Sequence, residues 1–211
     1  MKSWIAVLLF CAVAAASGQS LMSDGDFERA LGPAAATPEY VPMTSSERAR
    51  HYLVAAFGPG AVLRAAAAGG LAQATDAPRE WRVGAPGYGY RVGSAFAQQA
   101  IRQALEFGGS AVLHEDNRYF RSTQSGFLQR SKHALASAFT ARSEGGETHL
   151  GYSRVGAELA SSFISRLWQP PSMDSSGDAA VSFGLNMAAD IGWNFVQEFS
   201  PRSLARRFHG R

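Results

Sequence analysis

A four-residue spacing of mainly apolar side chains recurs along this 211-residue chain. It is found in residues 92–104, 127–139, 155–167 and 183–199. Such spacing gathers the apolar side chains on one face of an α-helix, whereas the period-two alternation of a half-buried strand is scarce here. The sequence therefore predicts an all-α fold, a compact bundle of about five to six helices with no substantial sheet.

Local signals mark where further helices begin and end. Thr44-Ser45-Ser46-Glu47 has the spacing of a capping box, which predicts a helix over residues 44–57. Gly58-Pro59-Gly60 ends it, and Pro59 is acceptable in the first turn of a second helix over residues 59–74. Residues 65–70 of that helix have almost no side-chain bulk, which predicts contacts rich in alanine and glycine. We expect a loop over residues 78–90, and Gly108-Gly109 is expected to end the helix that follows it.

The N-terminus is typical of a secretory signal peptide. Lys2 precedes an apolar run over residues 4–13, and small residues follow it at positions 14–18. Such a segment is too short to span a bilayer of about 30 Å. We expect residues 1–16 to be the signal peptide, with cleavage after Ala16 preferred to cleavage after Gly18. The protein is then exported, to the periplasm or the envelope, and secretion remains open.

Three further segments complete the predicted organisation. Residues 17–43 mix Gly, Ser, Pro and Ala and predict a flexible arm or linker. Residues 44–200 form the helical domain, and residues 201–211 form a basic tail. The tail has no acidic residue, and it is a candidate for contact with an anionic surface through Arg202, Arg206, Arg207 and Arg211.

Several classes of function are not expected. Cys11 is the only cysteine and lies in the predicted signal peptide, so a mature chain has neither disulfides nor thiolate ligands. The five histidines lack zinc-site spacing, and His114-Glu115-Asp116 is expected to be a solvated turn. The glycines of residues 84–89 lack the spacing and preceding strand of a nucleotide fold. Acids are interleaved with the arginines, so we expect no nucleic-acid partner, no metal and no cofactor.

The last predicted helix carries a polar line as well as its apolar one. Ser182, Asn186, Asp190 and Asn194 follow one another at four-residue intervals. An Asp facing lipid near a helix centre costs about 3 kcal/mol, so this line is predicted to face a polar seam inside the bundle. Composition makes Arg154 and Arg91 the candidate partners of Asp190.

Two short segments resemble the membrane phosphatases of the type-2 phosphatidic-acid family. They are Arg130-Ser131-Lys132-His133 and Tyr152-Ser153-Arg154. The resemblance implies a helical bundle in which a histidine forms a phospho-enzyme and arginines neutralise the phosphoryl charge. It makes His133 and Arg154 candidate catalytic residues, and Asp190 is a third candidate. The chain departs from the family at Ala160, which stands where the family has its nucleophilic histidine.

Three functional hypotheses follow. The first is an exported, non-catalytic helical protein that binds an envelope protein or a membrane surface, because no set of acid, base, nucleophile and metal ligands is assembled in the sequence. The second is a degenerate relative of the membrane phosphatases. The third is a small integral membrane protein with a polar helical seam.

Overall fold

The computed structural model describes residues 40–200, all of which belong to one compact unit. The predicted signal peptide and basic tail lie outside the described residues. So does the predicted arm, apart from residues 40–43.

Six α-helices, three short 3-10 helices and one small hairpin form the described part of the chain, which is mostly helical, as the apolar spacing predicts. In chain order the elements are α1 (Ser45–Phe57), α2 (Pro59–Ala74), α3 (Ala85–Val112), α4 (Phe127–Ala136), β1 (Thr140–Arg142), β2 (Thr148–Leu150), α5 (Tyr152–Ile164) and α6 (Ser176–Phe199).

Capping boxes start the first and the last helix. At α1, the Glu47 amide donates to Thr44 Oγ1 at 3.3 Å, and the Thr44 amide donates to a Glu47 carboxylate oxygen at 2.9 Å. These bonds satisfy amides that the first turn leaves without partners, which confirms the predicted start of α1. Ser175 and Asp178 form the same reciprocal pair at α6.

The longest helix, α3, was predicted too short at both ends. The expected loop over residues 78–90 is helical from Ala85, and Gly108-Gly109 lies inside the helix. Pro86 occupies the first turn, where its missing amide hydrogen leaves no bond unmade. A Cβ on Gly87 would lie 2.1 Å from the Arg82 carbonyl oxygen, and one on Gly109 would lie 3.0 Å from Ser153 Cβ. These glycines allow close packing, and they do not end the helix.

Four helical segments run in alternating directions between two ends of the bundle. The segments are α1 with α2, then α3, α5 and α6. At the turn end, comprising residues 75–84 and 165–175, Ser172 donates to Glu80. At the hairpin end, comprising residues 40–50 and 113–151, Arg48 donates to the carbonyl oxygens of Ser110 and Glu115.

The only sheet in the described residues lies at the hairpin end. Strands β1 and β2 are antiparallel, with Thr140 opposite Leu150. An isolated bridge between Asp116 and Arg142 ties the hairpin to the segment that follows α3. The sheet is small, so the expectation of an essentially helical fold holds.

Helix α2 packs closely against α3, and two adjacent glycines of α2 allow a matched test of this packing. A Cβ on Gly69 would lie 2.5 Å from Val92 Cγ2 and 3.0 Å from the Val92 nitrogen, whereas a Cβ on Gly70 meets nothing within 4 Å. We expect Gly69→Ala to lower the free energy of unfolding by about 1–3 kcal/mol through overpacking. Gly70→Ala should raise it by about 0.5–1 kcal/mol, because alanine favours the helix. Thermal unfolding followed by circular dichroism measures both, and equal effects would contradict the close packing.

Candidate functional site

The interior of the bundle is polar to an unusual degree. The largest fully buried side chains are those of Glu115, Glu158 and Glu198. Nine of the twelve buried hydrophobic residues are alanines, and the other three are Met43, Tyr52 and Met187. In water-soluble domains the large aliphatic side chains are buried, and glutamate is almost never fully buried unless it is paired. In this protein many of the large apolar side chains are exposed instead.

The polar interior is built from stripes at four-residue spacing on three helices. Helix α3 contributes Gln98, Arg102, Glu106 and Ser110, and α6 contributes Ser182, Asn186, Asp190 and Asn194. Between them, α5 contributes Glu158 and several buried serines. Gln98 bridges the stripes by donating to Ser162 at 3.3 Å and to Ser182 at 3.1 Å. The polar line predicted for the last helix therefore faces inward.

A cluster of ionisable groups, the charged seam, lies in this interior. Its members are Arg64, Arg102, Glu106, Arg154, Glu158 and Asp190. Arg102 Nη1 lies 2.5 Å from Asp190 Oδ2 and 3.0 Å from Glu158 Oε2. Arg64 Nη1 lies 3.3 Å from Asp190 Oδ1. Arg102 thus forms ion pairs that connect α3 to both α5 and α6, and Asp190 pairs with two arginines.

Asp190 is paired with arginine as expected, but the two proposed partners were wrong. Arg91 is buried at the turn end, where it donates to Gln73 and to the carbonyl oxygens of Ala77, Pro78 and Arg82. These bonds hold the turn after α2 in place. Arg154 instead pairs with Glu106 at 3.6 Å.

A cavity of about 100 Å³ opens onto the charged seam. Helices α2, α3, α5 and α6 all line it, and its polar lining consists of Arg64, Gln98, Gln99, Arg102, Glu158, Asn186 and Asp190. Several polar atoms of these residues are fully buried and make no hydrogen bond of good geometry within the described residues: both Glu158 carboxylate oxygens and the Nε atoms of Arg64 and Arg102. Arg102 approaches Glu158 as an ion pair without hydrogen-bond geometry.

The candidate catalytic residues His133 and Arg154 are both bonded to the main chain. His133 Nε2 lies 2.7 Å from the Phe120 carbonyl oxygen, and Arg154 donates to the carbonyl oxygens of Ser137 and Asn117. Ser137 connects the two, because its Oγ lies 3.5 Å from His133 Nε2. Their hydrogen bonds hold α4, the segment after α3 and the start of α5 together.

Sequence reasoning missed the buried acids after α3. His114 is exposed as expected, but Glu115 and Asp116 are buried. Glu115 accepts from the amides of Tyr152 and Ser153 at 3.0 and 2.8 Å, so it caps the N-terminus of α5 from a distant segment. A cap this far away in sequence leaves no local signal.

Asp116 belongs to a second buried cluster at the hairpin end. Arg118 Nη2 lies 2.6 Å from Asp116 Oδ2, and Tyr40 donates to the same oxygen at 3.0 Å. Burial alone would raise the pKa of Asp116, but the hydrogen bonds from Arg118 and Tyr40 outweigh it and lower that pKa. Burial and the neighbouring Asp116 raise the pKa of Tyr40 to about 12.

The outer faces of the four helical segments form the lateral surface, which is apolar. No charged side chain of α2, α3, α5 or α6 is exposed. Large apolar side chains are exposed along these helices, and they include Val62, Leu63, Leu71, Leu105, Phe107, Leu159, Phe163, Val181, Leu185 and Val196. Exposed charges in the described residues lie at the two ends, among them Glu47, Arg79, Glu80, Arg82, Lys132, Glu144, Glu147 and Asp174.

One helical stretch of the described residues is long and apolar enough to cross a membrane. It is Ser45–Ala74, which joins α1 and α2, and 22% of its most apolar window is buried within the bundle. A core helix of similar composition would be mostly buried. Helices α3 and α6 are long enough, but their inward polar stripes lower their average hydropathy.

Comparison with known proteins finds no relative of this chain. No protein-family model matches the chain, and no curated protein or solved structure matches it. Within residues 40–200 no group of three or more His, Cys, Asp and Glu side chains is arranged to hold a metal ion.

Proposed function

We propose that this protein is an exported, non-catalytic envelope protein that embeds its helical bundle in a membrane and functions by binding. The observation that carries the proposal is the inverted distribution of side chains, with charges inside and large apolar groups on the lateral surface. A lipid environment accounts for both features, because charged groups in membrane proteins face the bundle interior and pair with one another. The alanine and glycine contacts between helices suit the same environment.

The lengths of α3 and α6 support embedding, whereas α5, with 13 residues, extends only roughly 20 Å. At 1.5 Å per residue, the 28 residues of α3 and the 24 residues of α6 extend roughly 42 Å and 36 Å. The hydrocarbon core of a bilayer is about 30 Å thick. Trp81 lies at the turn end with the ring of Tyr90 6.2 Å from it, and Tyr152 is the first residue of α5, next to the hairpin end. Aromatic side chains favour the boundary between membrane and water.

The phosphatase hypothesis receives no comparable support. His133 and Arg154, which that hypothesis needs free for phosphoryl chemistry, are bonded to main-chain carbonyl oxygens. Ala160 still stands in the place of the nucleophile. We therefore propose embedding with a binding role in preference to phosphatase activity.

Fractionation of cells that express the full chain with a C-terminal tag tests the proposal. We expect the processed protein to remain in the membrane after washing with salt and with alkaline carbonate. Recovery in the soluble fraction would contradict embedding, and assembly into a soluble oligomer there would mean that protein covers the lateral surface. Release by salt alone would indicate peripheral attachment through charges, including the arginines of the tail.

Two features predict opposite orientations in the membrane. A cleaved signal peptide leaves residue 44, and with it the hairpin end, outside the cytoplasm. The positive-inside rule predicts the reverse, because most exposed or half-buried basic residues of residues 40–200 lie at the hairpin end: Arg48, Arg50, Arg118, Arg121, Arg130, Lys132 and Arg142. We propose the orientation set by the signal peptide. Protease access to the tag in intact and permeabilised cells tests it.

A further inference from the structure

Helix α4 has an outward face that combines apolar side chains with a positive charge. Leu128, Lys132 and Leu135 follow one another at intervals of four and three residues, so they share one side of the helix. Leu128 is 66% exposed, Leu135 is 47% exposed, and Lys132 between them is exposed as well. Such a face suits the boundary between membrane and water, where the lysine stem lies in the apolar layer and its ammonium group reaches the headgroups.

This face continues the apolar lateral surface of the bundle. Phe127, the first residue of α4, is 73% exposed, and its ring lies 5.2 Å from the ring of Phe199. Phe199 is the last residue of α6 and is itself exposed. Because α6 is slightly longer than the hydrocarbon core is thick, its end reaches the headgroup layer of an embedding membrane. Embedding therefore places α4 where lipid headgroups begin.

The chain around α4 carries positive charge without acids. Residues 117–143 contain four arginines and one lysine but no Asp or Glu, and residues 199–211 contain four arginines and again no acid. Arg121 connects the two segments, because it donates to the Ser200 carbonyl oxygen at 2.8 Å and to Ser200 Oγ at 3.1 Å. The basic tail therefore starts beside the segment that contains α4.

The acids that contact this segment leave part of its charge unbalanced. Glu198 pairs with Arg130 at 2.7 Å, and Asp116 pairs with Arg118 at 2.6 Å. Both acids are buried and each already has its arginine, so neither is available to balance Lys132. The exposed acids of the hairpin end lie in the first turn of α1 and between β1 and β2. In the orientation set by the signal peptide, the positive-inside rule does not account for this basic region.

We propose that α4 and the tail bind the headgroups of anionic phospholipids at the membrane boundary. The basic residues favour lipids with a net negative charge, and each contributes through attraction to the charged surface. The exposed leucines and Phe127 favour a lipid over a soluble polyanion, because they become buried only among acyl chains. The inference names a partner for the embedded bundle, and it therefore rests on the proposed function.

Thermal unfolding of the purified full chain in micelles of a nonionic detergent tests the proposal. We expect added phosphatidylglycerol to raise the midpoint temperature by about 2–4 °C in a saturable manner, because a ligand that binds the folded state stabilises it. Phosphatidylcholine should have little effect, because it has no net charge. Equal shifts with the two lipids would overturn the proposal. An equal shift with soluble polyphosphate, which has charge but no acyl chains, would overturn it as well.

Single substitutions on exposed residues sharpen this test. Lys132→Gln should raise the mole fraction of phosphatidylglycerol that gives the half-maximal shift by about fivefold, the contribution of one basic residue near an anionic surface. Arg79→Gln is the matched control at the turn end, where exposed acids accompany the arginines, and should leave that mole fraction unchanged. Leu128→Gln keeps every charge and should also weaken the lipid effect. Equal lipid affinities of Lys132→Gln and Arg79→Gln would contradict the proposal.

Failure of this proposal and failure of embedding give different results. A protein that resists carbonate extraction but responds equally to the two lipids would contradict the lipid preference alone. A protein recovered in the soluble fraction would contradict embedding, and the lipid preference that rests on it would be rejected with it.

Discussion

Replacing Arg102 by methionine is expected to lower the free energy of unfolding by about 3–5 kcal/mol. Arg102 is the shared partner of Glu158 and Asp190, and all three side chains lie inside the bundle. Methionine keeps much of the length and apolar bulk of the side chain. The expected loss therefore comes mainly from Glu158, which remains buried without its cation, and from Asp190, which keeps only Arg64. It exceeds the usual range for a single substitution. Thermal unfolding in detergent, followed by circular dichroism, measures it.

A control variant and a rescue variant separate the effect of the Arg102 charge on stability from the effect of its packing. Arg79→Met removes an exposed arginine at the turn end and should change stability by no more than about 0.5 kcal/mol. Combining Arg102→Met with Glu158→Gln should recover most of the lost stability, because the unpaired carboxylate is then neutral while Asp190 keeps its ion pair with Arg64. A double variant as unstable as Arg102→Met would show that packing of Arg102, and not its charge, supports the bundle.

The parts of the fold that were predictable are those with a local physical cause. The capping box at Thr44 and the apolar spacing act within one or two turns of helix, and both appear in the structure. The inward orientation of Asp190 was also predictable, because the cost of exposing an aspartate to lipid is a property of the residue itself. Its partners were not, since Arg64 lies 126 residues away in the chain and Arg102 lies 88 residues away.

Glycine was the most misleading signal in the sequence. Glycine is typical of turns, yet Gly87 and Gly109 both lie inside α3. Neighbouring segments approach these two positions too closely for a Cβ. The same residue type serves a turn, a cap or a close contact, and only the neighbour decides which. Buried Glu115 was missed for a related reason, because the amides that it caps belong to α5.

Leu185→Arg is expected to lower the share of the protein that inserts and is recovered in the carbonate-resistant membrane fraction. Leu185 is 42% exposed on the lateral surface near the middle of α6, between the exposed residues Gly184 and Ala188. Arginine near the centre of a membrane helix costs about 2.5–3.5 kcal/mol on insertion scales, a factor of roughly a hundred in partitioning. Arginine is also a good helix former, so helix propensity contributes little to the effect.

Val83→Arg is the matched control for this substitution. Val83 is 68% exposed at the turn end, next to the exposed charges of Arg82 and Glu80, where embedding leaves it in contact with water. It should stay in the membrane fraction, because the same charge there costs little. If water surrounds the lateral surface instead, both variants should behave alike, since substitutions of exposed residues change stability by no more than about 0.5 kcal/mol. Equal fractionation of the two would thus reject embedding, whereas a loss confined to Leu185→Arg would locate the hydrocarbon at the middle of α6.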